Sequence, residues 1–256
     1  MPSGPAHQVE RFSTAEALMA AAAERFVSVA LRAIRESGRF AVALAGGSTP
    51  RRLYELLASP DWADRVDWAR TNVFWGDERC VPPDDPASNY FLAREVLLDR
   101  VPIPEANIDR ICGEDPPARA AAAYERELRV AFTTPEGPPS VLPGRRFDLV
   151  LLGMGSNGHT ASLFPGLSAV RERERWVVAE HVAEVAMWRI TLTPPVLNAA
   201  AHIVFLVSGA EKAATLERVL EGPPGVFPAQ AIVPHDGVLT WLVEEAAAGK
   251  LCGPRR

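Results

Sequence analysis

At 256 residues the chain has room for one large or two small domains, and 48% apolar with 23% charged residues is the balance of a protein with a buried core. A net charge of −5 does not favour a general nucleic-acid surface, although an anionic small substrate needs only a local cluster of donors. Cys80, Cys112 and Cys252 lie far apart, which argues against a disulfide framework and a cysteine-based zinc site, and no apolar run approaches the roughly 20 residues of a membrane span. Met1 leads into a polar stretch without a basic-then-apolar signal, so the cytoplasm is the expected compartment.

Ser13-x-x-Glu16 reads as a capping box that opens a long helix. Its apolar face is Leu18, Ala22, Phe26, Val29 and Ala30, and Gly38 is its stop. Residues 40–45 (FAVALA) form a short continuous apolar run, as in a strand buried on both faces. Gly46-Gly47-Ser48-Thr49-Pro50 follows, then a helix through Leu57, with Pro50 suited to the first turn. A strand over 72–75 precedes a loop and a helix from near Ser88 to Leu98. Residues 118–132 read as helix, and 133–144, with four prolines and two glycines, as a surface loop. Strands are expected over 147–152, 176–179, 189–192, 203–207 and 238–243. A helix is expected over 210–220, and a short one after the last strand. Strands alternating with helices imply an α/β fold, a doubly wound, largely parallel sheet flanked by helices. There is no internal repeat and no long linker, so residues 1–256 read as a single domain, with a loose tail before His7.

In such sheets ligands bind beyond the carboxyl ends of the strands, and four loops there carry reactive residue types. Gly46 and Gly47 let a backbone approach a ligand, Ser48 and Thr49 add hydroxyls, and the next helix offers its N-terminus, a setting for phosphate. It is not a P-loop, because no Gly-Lys-Ser/Thr follows. Asp77, Glu78 and Arg79 form the second group, at a strand end, and could equally be a surface ion-pair cluster. The third is FDLVLLGMGSNGHTASLFPG, in which Gly153, Gly155 and Gly158 spell the dinucleotide fingerprint, with an acid, Glu180, near the required offset. Only six residues separate Gly158 from Pro165-Gly166, under two helical turns, so the crossover helix that nicotinamide cofactors need is missing. His159 gives a better reading of this loop. An imidazole titrating near 6.5 on a glycine-loosened loop can take a proton from water. No second histidine stands at metal spacing, and no G-x-S-x-G elbow surrounds Thr160 or Ser162. The fourth group is Arg189, opening a strand, and Lys212, in the first turn of a helix where a cation is out of place unless an anion binds.

Taken together, AGGSTP, WGDERCVPPDDPASN, LLGMGSNGHTASLFPG, RITLTPPVLN and VSGAEKA occur in the order of the 6-phosphogluconolactonase family, and the chain resembles it over roughly 43–251. The resemblance implies a modified doubly wound α/β fold shared with glucosamine-6-phosphate deaminase. It implies hydrolysis of 6-phosphoglucono-δ-lactone to 6-phosphogluconate, a step of the oxidative pentose phosphate pathway, with no metal and no organic cofactor. His159 would be the general base on water, with Asp77 and Arg79 in the same site. Gly46, Gly47, Ser48, Thr49, Arg189, Lys212, Asn157 and Gly158 would form or border the pocket that binds the phosphorylated substrate. The partner is thus a phosphorylated sugar lactone, with no nucleic acid and no membrane. The family's loop usually reads Asp-Gly-His-Thr, whereas Asn157 stands here. Asn-Gly suits a tight turn, so Asn157 is expected to shape the turn rather than to charge the histidine. Glu244 after WLV, often Asp in the family, carries no catalytic expectation.

Two other readings remain from the residues. A deaminase/isomerase on the related fold would need carboxylates able to act as acid and base, and Asn157 removes one. A sugar-phosphate sensing domain would sit beside a DNA-binding module, for which this chain has no room.

Overall fold

The structure, a computed structural model, describes residues 8–132 and 146–252. The surface loop expected over 133–144 and the tail before His7 lie outside the described residues. The first element is a strand that the sequence does not announce, β1 (Gln8–Phe12), since QVERF has no apolar run. Helix α1 (Ala15–Ser37) follows. Its cap is Thr14, not Ser13. The Thr14 hydroxyl accepts from the Ala17 N–H at 3.2 Å, which leaves Glu16 in the first turn rather than in a capping box. Gly38, at φ 79°, ends the helix by donating its N–H to the Ile34 carbonyl. Leu18, Ala22, Phe26, Val29 and Ala30 are all buried, as their spacing requires.

Strand β2 (Phe40–Leu44) is buried at every position and leads into α2 (Ser48–Leu57). A single turn, α3 (Pro60–Ala63), precedes β3 (Thr71–Trp75). What reads as a loop after β3 contains a further short strand, β4 (Asp77–Arg79). Next come α4 (Asn89–Val96), capped by the Ser88 hydroxyl, and α5 (Pro117–Phe132). β5 (Leu149–Gly153), β6 (Val177–Val182) and β7 (Met187–Leu192) follow. The chain continues through the short α6 (Pro194–Leu197), β8 (His202–Val207), α7 (Ala213–Glu221), β9 (Val238–Glu244) and α8 (Glu245–Ala248).

Six strands form one parallel sheet in the order β1-β9-β8-β5-β2-β3, flanked by helices. The continuous apolar runs of β2, β5 and β8 belong to strands covered on both faces. Two expected strands, β6 and β7, do not join this sheet. With β4 they make a separate antiparallel sheet, β4-β7-β6. The link between β6 and β7 is a single turn (Ala183–Val185), and a hairpin of that length can join only antiparallel neighbours. Large side chains fill the interior: Phe205 stacks on Trp241 at 3.8 Å across β8 and β9, and Phe74, Phe132 and Phe147 pack ring on ring. Each such side chain contributes about 1.5–3 kcal/mol by leaving water.

This topology positions the site. From β2 the chain passes to β3 on one side, and then returns to place β5 on the other. That reversal is a switch point, where the loops diverge and leave a crevice at the carboxyl ends. Buried tyrosines fix the strand ends there. The Tyr54 hydroxyl donates to the Ala45 carbonyl at 2.7 Å and accepts its N–H at 2.9 Å. Tyr124 grips Trp75 in the same way, at 3.2 and 2.9 Å.

Candidate active site

A cleft of about 340 Å³ opens at the switch point. The turn after β2 lines it with Gly46, Gly47, Ser48 and Thr49, the residues at the start of α2. Gly47 sits at φ 104°, a conformation that favours glycine. Gly46 is needed for closeness rather than for its dihedral angles. A Cβ there would fall 1.8 Å from the Asn89 amide oxygen, so Asn89 occupies the space a side chain would take.

Asp77, Glu78 and Arg79 are not a solvated cluster, because a strand sorts their side chains to opposite faces. Asp77 and Arg79 line the cleft. Glu78 turns away and holds the start of α4. Its carboxylate accepts the Asn89 N–H at 2.7 Å, the Tyr90 N–H at 2.8 Å and the Ser88 hydroxyl at 3.0 Å. Burial pushes the Glu78 pKa up, and these hydrogen bonds act against it. Asp77 accepts the Ser162 hydroxyl at 2.5 Å and the Asn89 amide at 3.2 Å. Ser162 is fully buried and serves this carboxylate, which is no position for a nucleophile.

Arg79 and Arg189 face each other directly across the β4–β7 ladder, and both line the cleft. Like charges in that register repel. The Arg79 guanidinium donates to the Ala87 carbonyl, while the buried Nε of each arginine has no partner among the described residues. Burial, and then Arg79, disfavours the charge on Arg189. Lys212 completes the group from the N-cap position of α7, one residue ahead of the helix, where burial lowers its pKa. Three cations beside a helix N-terminus make a place for an anion.

His159 enters the cleft from the loop after β5. No helix follows Gly158; bends and turns carry the chain to Gly166. The loop is braced by its own bonds, Thr160 Oγ1 to the Gly153 carbonyl and the Gly155 N–H to the His159 carbonyl. The imidazole stacks on Phe164 at 4.2 Å and lies over Gly155. Asn157 does more than shape the turn. Its amide oxygen accepts the His159 N–H at 3.1 Å and also meets the ring Nδ1 at 2.6 Å. An amide oxygen only accepts, so Nδ1 carries the proton and Nε2 keeps its lone pair. Burial is the largest influence on His159 and lowers its pKa below 6.5; the nearby Asp77 carboxylate acts against that. Asn157 and Gly158 themselves stand behind the histidine and do not line the cleft, and Gly158 packs on Phe227.

Several contributors have no signature in the sequence. Asn89 is conspicuous only once Gly46 and Asp77 are seen around it. Phe164, in the same loop, packs on the imidazole, Glu184 comes in from the turn between β6 and β7, and both line the cleft. Among the described residues no group of three His, Cys, Asp or Glu side chains is placed to hold a metal ion.

A parallel sheet whose switch point brings three cations and a half-buried imidazole to one cleft is an α/β enzyme architecture. The family model for glucosamine-6-phosphate isomerases/6-phosphogluconolactonase matches residues 13–241, and the chain belongs to that family. A 6-phosphogluconolactonase of Nostoc is 40% identical over 246 residues, covering 95% of this chain and 98% of its own length. A 6-phosphogluconolactonase of Haemophilus influenzae is 37% identical over 208 residues, covering 80% and 85%. The solved structure of 6-phosphogluconolactonase from Trypanosoma brucei superposes with a TM-score of 0.83 at 29% identity, covering 97% of this chain and all of that one.

Proposed function

We propose that this protein is a 6-phosphogluconolactonase that hydrolyses 6-phosphoglucono-δ-lactone with His159 as general base. The observation that carries the reading is the His159 ring itself, with Nδ1 engaged by Asn157 and Nε2 left to the cleft that Arg79, Arg189 and Lys212 share. The similarity to lactonases over nearly the whole chain supports the substrate. A δ-lactone has a reactive carbonyl and a tethered leaving group, so water can attack without a covalent intermediate. Nε2 takes the proton from water as the new C–O bond forms. The tetrahedral oxyanion then collapses, the ring C–O bond breaks, and the alkoxide recovers the proton from the imidazolium. The product acid ionises, so turnover releases one proton to solution.

A lowered His159 pKa keeps the imidazole in its basic form at neutral pH. Asp77, held by Ser162 and Asn89, favours the imidazolium that forms in the transition state. Arg79 is the candidate donor to the oxyanion, a role typically worth about 10²–10³-fold. The phosphate is held by the start of α2 with Arg189 and Lys212, which fixes the ring relative to the base. The test is proton release in a pH-stat with fresh lactone and a chelator present. Hydrolysis well above the spontaneous rate, reduced about 10²–10⁴-fold in His159→Ala, is the expected result. Full activity in His159→Ala would remove the histidine from this role. Ammonia release from glucosamine 6-phosphate would favour the isomerase reading instead.

A further inference from the structure

The contacts behind the histidine continue one step beyond Asn157. The amide that accepts the Nδ1–H gives its own N–H to Glu184 Oε2 at 3.0 Å. Glu184 lies in the turn between β6 and β7 (Ala183–Val185), two residues before Ala186 at φ 47°. Carboxylate, amide and imidazole thus form one hydrogen-bonded row that joins the small antiparallel sheet to the loop after β5. We propose that Glu184 is a positioning residue for His159, acting through the Asn157 amide to hold the ring with Nε2 free.

Charge and orientation at the imidazole both depend on this row. An asparagine offers the imidazole a dipole but no charge. A carboxylate on the amide N–H polarises the amide and strengthens the bond its oxygen accepts. The reversed amide would set its oxygen against the Glu184 carboxylate and its NH₂ against the His159 N–H, so both neighbours select the orientation seen. The other charges facing the ring come from different elements. Asp77 on β4 favours the imidazolium, while Arg189 on β7 and Lys212 ahead of α7 oppose it. Glu184 acts in the same direction as Asp77, from the edge of the same cleft, which it also lines, and through its bond to the amide. It is exposed, so its influence is that of a solvated charge and is screened by salt.

This inference rests on His159 being the base, and its test separates the two. His159 is titrated by NMR in the protein alone, without substrate, reading both the pKa and the ring tautomer. Glu184→Gln keeps a hydrogen-bond acceptor and removes the charge. The expected result is a His159 pKa lower by about 0.2–0.7, the range of exposed charged pairs, with the difference from wild type shrinking in high salt. With lactone, kcat falls about two- to fivefold while KM stays within about twofold. Asn157→Asp places a second carboxylate against Glu184, and like charges at that distance resist joint ionisation. Asn157→Asp combined with Glu184→Gln is therefore expected to be faster than Asn157→Asp alone. An unmoved pKa and tautomer in Glu184→Gln would overturn the positioning role even if the wild type is a His159-dependent lactonase. A moved pKa in a protein that does not hydrolyse lactone would leave the row intact and remove the base reading.

Discussion

The His159 ring takes its place from a missing atom as much as from its hydrogen bond. A Cβ on Gly155 would lie 2.2 Å from the imidazole, well inside any real contact. Gly155 is not among the residues at positive φ, so alanine is compatible with the backbone and only the ring must move. Gly155→Ala is expected to lower kcat roughly 10²-fold, the scale of a misplaced catalytic group, with the melting temperature little changed. Wild-type kcat in that variant would mean that the ring is not seated on Gly155. The same residue limits what sequence can convey. G-x-G-x-x-G reads as a dinucleotide fingerprint because glycines are scored by spacing. Here Gly155 makes room for a side chain four residues on, and Gly158 for Phe227. Asn157 is legible as a turn former, but its bond to Nδ1 depends on a loop geometry that residue types alone do not specify.

Among the elements, the buried parallel strands are the most legible, because β2, β5 and β8 are unbroken apolar runs that need no partner to be recognised. The edge strand β1 and the three-residue β4 are written in polar residues, and their pairing with β9 and β7 is long-range. Reading Asp77, Glu78 and Arg79 as one group therefore hides a division of labour that only alternation along a strand reveals. Glu78 ties β4 to α4, and the same helix start supplies Asn89 to Asp77 and Gly46. Glu78→Ala leaves buried N–H groups of α4 without an acceptor. It is expected to cost about 2–4 kcal/mol in urea unfolding and to lower activity through Asn89. A loss under about 0.5 kcal/mol would show that α4 starts without it.

On the scale of the whole molecule, the cleft occupies the carboxyl end of the sheet and a second titrating cluster the other end. His202 begins β8 there, with the Arg32 guanidinium donating to its Nε2. Burial, then Arg32, Arg25 and Arg146, pushes its pKa down to about 4. The unfolded chain binds this proton near 6.5 and the folded one only near 4, so in that window acid favours unfolding. The melting temperature is expected to fall as pH drops from about 6.5 to about 4, and His202→Gln to flatten part of that fall; an equally steep fall in the variant would exclude His202 as a source. The sheet order has a further consequence, for the chain as it leaves the ribosome. β9 lies between β1 and β8, pairing Gln8 with Thr240 on one side and His202 with Val238 on the other. β1 therefore has no native neighbour until β9, more than 200 residues on, has emerged. During synthesis β1 waits as an unpaired edge, and the charged and polar Gln8, Glu10 and Arg11 are residue types that discourage pairing with a wrong strand.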